Sequence, residues 1–141
     1  MRNDSSNSQT TVRANTMPGQ KLIRLSIALI WLYQGLWCKV LGRSAGHVAV
    51  ISAVPFIGAT GSRVALILLG LVECSIAVWV LSGKRTQQAA IVQTVLLVAM
   101  NAGGLIWAWH LIPDPPGLIL QNFAFLMLIW VATKDGHDAH A

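Results

Sequence analysis

A single glutamate, Glu73, sits within the apolar run RVALILLGLVECSIAVWVLS (63–82). At a helical rise of 1.5 Å per residue it falls about 15 Å from one end of that run, near the middle of a bilayer. Ionisable groups at that depth are costly and mark function by default. Two chemistries suit it: a proton-handling or ligand-contacting carboxyl, or a neutral acid hydrogen-bonded to a neighbouring helix. Other polar side chains fall in comparable layers. Trp31, Gln34, Gly35 and Cys38 share one helical face at i, i+3, i+4 and i+7, with Tyr33 and Gln34 near mid-depth. Gln93, Leu97, Asn101 and Gly104 form a second stripe, and Asn122 lies just beyond Gln121. Lipid cannot satisfy amides, so these faces must turn inward, whether to line a site or to hydrogen-bond between helices.

Lys39 stands near one end of its run, within reach of the headgroups by snorkelling. Its alternatives are partnership with Asp114 or with Glu73. Depth counting favours Asp114, because Glu73 requires a reach of about 10 Å along the membrane normal. Cys38 and Cys74 differ in depth by about 11 Å on the same count, too far for a disulfide. Of the four histidines only His110 is near a predicted span, so a haem held by two matched ligands is not expected, and no metal cluster is. Phosphate-loop and nucleophile-elbow motifs are missing, which argues against an autonomous catalyst.

The elements that must position these residues follow from composition. Of 141 residues, 55% are hydrophobic and only 11% charged. A soluble domain carries roughly 25% charged residues, so the reading is an all-α integral membrane bundle. Four runs serve as spans: 22–41, 63–82, 88–111 and 117–133, set against the about 20 residues needed for a crossing. Short links make them antiparallel neighbours in a four-helix bundle. Between the first two, residues 47–58 are apolar but too short to cross, and Pro55 interrupts them; they read as an interfacial or re-entrant helix. Residues 1–21 read as a disordered polar tail and 134–141 as a second polar tail, flanking the domain at 22–133. Ala99 and Gly103 suggest close helix packing.

The net charge of +5 does not indicate nucleic acid, because the basic residues flank the apolar runs rather than form a stripe on one face. Lys21, Arg24, Lys84, Arg85 and Lys134 place both termini in the cytoplasm; Lys39, Arg43 and Arg63 lie on the predicted outer side, against this trend. Trp37, Trp107 and Trp109 fit an aromatic belt at the outer interface. Deeper tryptophans could form an aromatic wall for a quinone ring.

Three stretches carry a family resemblance: WLYQGLWCKVL (31–41), GLVE (70–73) and DPPGLILQNFAFL (114–126). In order and spacing the chain resembles the DoxX-like family of small four-span membrane proteins. The resemblance covers about residues 22–133 and maps the family's recurring positions onto Tyr33, Gly35, Lys39, Glu73 and Asn122. Many relatives carry a basic residue where Gln121 stands. The family takes its name from a subunit associated with a terminal quinol oxidase and thiosulfate oxidation. The resemblance thus implies a bacterial plasma-membrane accessory of quinone-linked metabolism, acting alone, as a homo-oligomer, or with an oxidoreductase subunit. Glu73, Tyr33, Gln34, Lys39, Asn101, Asn122 and Asp114 are the candidate ligand-binding or proton-linked residues. A small-solute transporter and a purely structural subunit of a membrane complex are the rival readings.

Overall fold

The computed structural model describes residues 7–55 and 57–134, all of it helices and their connections. Helix α1 (Asn7–Leu32) runs without a break into a π-helical segment, Tyr33–Val40. Helix α2 (Ala45–Ser52) follows, then α3 (Gly58–Ser82), α4 (Thr86–Trp107), a 3-10 turn at Trp109–Leu111, and α5 (Pro115–Lys134). α1 begins inside the stretch expected as a disordered tail, so that stretch is helical from Asn7 onward. Residues 1–6 and 135–141, the remainder of the expected tails, lie outside the described residues.

The connections explain the helix ends. In the π segment the chain bonds five residues back, as in the 2.9 Å bond from Leu41 N–H to the Leu36 carbonyl. Gly42 ends it at φ +64, a left-handed conformation that glycine adopts without a Cβ penalty. α2 stops three residues short of Pro55, as expected of a chain that cannot continue through a proline. Gly83 (φ +66) and Arg85 (φ 51) turn the chain between α3 and α4, and the Trp79 indole N–H pins this turn by donating to the Lys84 carbonyl at 3.0 Å. At the start of α5, the Asp114 carboxylate accepts from the Gly117 N–H at 3.0 Å. Pro115 occupies the first helical position, where no N–H is needed.

Among the described residues, three helices are long and apolar enough to cross a membrane by themselves: Gly61–Ser82, Thr86–Trp107 and Pro115–Thr133. The first expected span meets that criterion only together with α2, from which it is bent by 73°. The outward faces are as apolar as the core: Val78, Val95 and Leu120 are each more than 60% exposed. Helices apolar all round belong in lipid, so the fold is an all-α membrane bundle.

α1 and the π segment pack along α3, α4 packs on α5, and α5 closes back onto α1. The buried core gathers Ile27, Ala28, Trp31, Ile76, Ala77, Ala90, Leu97 and Ile129. Fully buried Ala28, Ala77 and Ala90 let the backbones approach closely, as small residues do in membrane bundles. This core fills the end of the bundle nearer Gly83. At the other end α2 packs against α3, α4 and the 3-10 turn, and the interior opens into a cavity.

Candidate functional site

The site is built on a contact between two glycines. A Cβ placed on Gly35 would lie 2.6 Å from the Gly70 carbonyl oxygen and 2.9 Å from the Glu73 Cβ. One placed on Gly70 would lie 2.6 Å from the Gly35 carbonyl oxygen and 3.1 Å from the Lys39 Cβ. The π segment and α3 therefore meet backbone to backbone, a proximity only glycine allows. This contact brings Lys39 level with Gly70, one helical turn from Glu73. The Lys39 Nζ donates to both carboxylate oxygens of Glu73 at 2.8 Å, and both side chains are 1% exposed.

This corrects the expectation that Lys39 would pair with Asp114 or snorkel. Counting residues from the run ends put about 10 Å between Lys39 and Glu73. The Gly35–Gly70 contact instead leaves only the three residues from Gly70 to Glu73, about 4.5 Å along α3, which a lysine side chain spans. Asp114 is engaged elsewhere, as the cap of α5.

The ion pair borders a cavity of about 730 Å³, within the range of small-molecule sites. Gln34, Lys39, Glu73, Asn101 and Asn122 all line it, together with Trp31, Gln121, Ser44 and His47. Most of the remaining wall is aliphatic, including Val50, Leu66, Leu97, Leu118 and Leu128. Tyr33 and Asp114 are not on it. Tyr33 is 58% exposed, because neighbouring residues of one helix point in different directions and Gln34 takes the inward one. Ala99 and Gly103, expected as a packing pair, also line the cavity.

Hydrogen bonds fix the polar walls. The Asn122 amide N–H donates to the Asn101 side-chain oxygen at 2.6 Å, and the Asn101 amide donates to the Leu97 carbonyl at 2.7 Å. At the floor, the buried Trp31 indole N–H donates to the Gln93 side-chain oxygen at 2.8 Å, and Gln93 in turn bonds the Ala89 carbonyl at 3.0 Å. The Trp31 ring packs against Phe125 with centroids 5.7 Å apart. The histidine on α2, His47, shares a 2.7 Å hydrogen bond with Ser44. Reading the sequence missed the Trp31–Gln93 bond, Gly70 as the partner of Gly35, and the contribution of Ser44 and His47. Glycine facing glycine in adjacent apolar runs was the available signal for the second; the short α2 gave none for the third.

The match to known families settles the lineage. The model of the DoxX-like family matches residues 28–130. The chain belongs to this family. The matched region takes in the floor of the cavity at Trp31, the ion pair and α5 as far as residue 130, so the whole candidate site of this DoxX-like protein lies inside it. Neither a search of curated proteins nor a search of solved structures finds a match. Cys38 and Cys74 are both free thiols, Cys38 being buried and Cys74 partly exposed.

Proposed function

We propose that this DoxX-like protein is a bacterial plasma-membrane accessory of quinone-linked redox metabolism, binding a lipophilic ligand, a quinone, in the cavity beside Lys39 and Glu73. The single observation that carries the reading is the cavity itself. It has the volume of a ligand site and a largely aliphatic wall, with a buried ion pair and two asparagines at its edge. A buried ion pair adds little net stability compared with an apolar pair, so its presence in a lipid-facing fold suits a role beyond stability. Trp31 and Phe125 offer aromatic surface at the floor, where a flat ring would stack.

In this reading α1 with its π segment is a fourth crossing, completing a four-helix bundle, and α2 is a re-entrant cover. Both termini face the cytoplasm. The ion pair supports this orientation: it holds Lys39 buried inside the bundle rather than in a loop, which leaves two of the three basic residues that opposed it. Of the other two, Arg43 sits 5.6 Å over the Trp37 ring, an arrangement suited to the interface. The partner would be an oxidoreductase subunit of the same membrane.

Native mass spectrometry of the protein extracted with its lipids, with quinones quantified from the same sample, tests this. A quinone bound near one per chain, and lost in Glu73→Gln, is the expected result. A chain that carries no quinone would overturn it.

A further inference from the structure

We propose that the cavity selects lipids with an uncharged, hydrogen-bonding head and admits them sideways from the bilayer, between Gln34 on the π segment and Gln121 on α5. This deepens the ligand reading above and rests on it for the cavity being a binding site, not for the ligand being a quinone.

The selection follows from which polar groups are already spent. Glu73 takes two of the three Lys39 ammonium protons, and no other described residue accepts the third. The hydrogen bonds around the cavity engage Trp31, Gln93, Lys39, Glu73, Asn101 and Asn122, and leave the Gln34 amide without a partner among the described residues. What remains to a ligand is one ammonium N–H, the neutral amides of Gln34 and Gln121, and the unused side of the Ser44–His47 pair. All of these suit a carbonyl or hydroxyl oxygen. The charge of Lys39 is already cancelled by Glu73 at 2.8 Å, so a carboxylate or phosphate head would enter a low-dielectric site with no free counter-charge, at a large desolvation penalty.

The route follows from how the helices pack. α5 packs closely on α4 and α1 but not on the π segment or α2, although all of these line the cavity. Below this gap the Trp31–Phe125 contact ties α1 to α5. Above it, Gln121 and Ala124 are exposed, Gln34 is half-buried, and all three line the cavity. Ala99, Leu111 and Pro113 also line the cavity and are exposed, but they lie on the side where α2 packs on α4 and the 3-10 turn, so the mouth falls at the unpacked gap between the π segment and α5. The surface there is the apolar lipid face, so the mouth opens to lipid tails rather than to water.

The test is a binding competition on the full chain in nanodiscs, using three probes with single chains of ten to twelve carbons: dodecanol, dodecanoate and decyl-benzoquinone. The two uncharged probes are expected to bind at least tenfold more tightly than dodecanoate, about what one desolvated, uncompensated charge exceeds. Gln34→Leu should weaken them about fivefold, the worth of one hydrogen bond. Ala124→Trp, a change at an exposed position that leaves the ion pair intact, should slow association of every probe at least tenfold. Dodecanoate binding as tightly as dodecanol would overturn the selection, and unchanged association in Ala124→Trp would overturn the route. Dodecanol binding without decyl-benzoquinone binding would leave this inference standing and remove the quinone reading. Binding of none of the three would remove both.

Discussion

Lys39 and Glu73 should behave as one energetic unit. At 2.8 Å, two unit charges attract by about 6 kcal/mol at an effective dielectric constant of 20. Desolvating two ions opposes this by several kcal/mol each, so the intact pair is close to neutral for stability. Removing one partner is a different matter, because the survivor keeps its desolvation and loses its attraction. Lys39→Met or Glu73→Gln alone should therefore destabilise the bundle by about 3–5 kcal/mol. The double variant should recover most of that loss, giving a coupling of at least about 2 kcal/mol. Reversible unfolding in mixed micelles by increasing sodium dodecyl sulfate, followed by far-ultraviolet circular dichroism, measures all four corners of this cycle. Two single losses under about 1 kcal/mol that simply add in the double variant would refute the reasoning, because the two groups would then be solvated separately.

Three further outcomes follow from the same geometry. Gly35→Ala puts a methyl group 2.6 Å from the Gly70 carbonyl, so the helices must separate; a loss of about 1–3 kcal/mol is expected in the same assay, accompanied by loss of cavity binding. Trp31→Phe leaves the buried Gln93 oxygen without its donor at a penalty of about 1–3 kcal/mol, and Trp31→Phe with Gln93→Leu should recover part of it. Asp114→Ala removes the cap of α5 and should lower stability by about 1 kcal/mol while ligand affinity stays unchanged, which separates this carboxylate from the site.

The membrane bundle was legible because lipid imposes one strong rule: a chain poor in charge with apolar runs of about 20 residues must satisfy its backbone in helices. The run boundaries fell within a few residues of α3, α4 and α5, and α2 was visible as a short apolar stretch stopped by Pro55. The same rule turns Gln34, Glu73, Asn101 and Asn122 inward, since an amide or carboxyl in lipid has nowhere else to face, and all four line the cavity. What failed was relative depth. Lys39 and Glu73 were counted from separate run ends, whereas the offset between their helices is set by Gly35 lying on Gly70, a tertiary contact whose one trace in the sequence is a glycine in each run. The π segment, which runs from Tyr33 to Val40, was equally invisible to a count that assumes 3.6 residues per turn. Tyr33 was misplaced by assigning it the depth of Gln34 without its direction. Asp114 could have been read better: Asp followed by Pro at the start of an apolar run is a helix-start signature.

Photolabelling by an azido-benzoquinone in native membranes, with the labelled peptides mapped, tests the central claim most directly. The account predicts labels on the cavity walls, within 97–104 on α4 and 118–128 on α5, suppressed by excess unlabelled quinone and lost when Lys39 and Glu73 are replaced together. Labels spread over outward-facing positions such as Val78 and Val95, with no competition, would contradict it and reduce the cavity to a gap between helices.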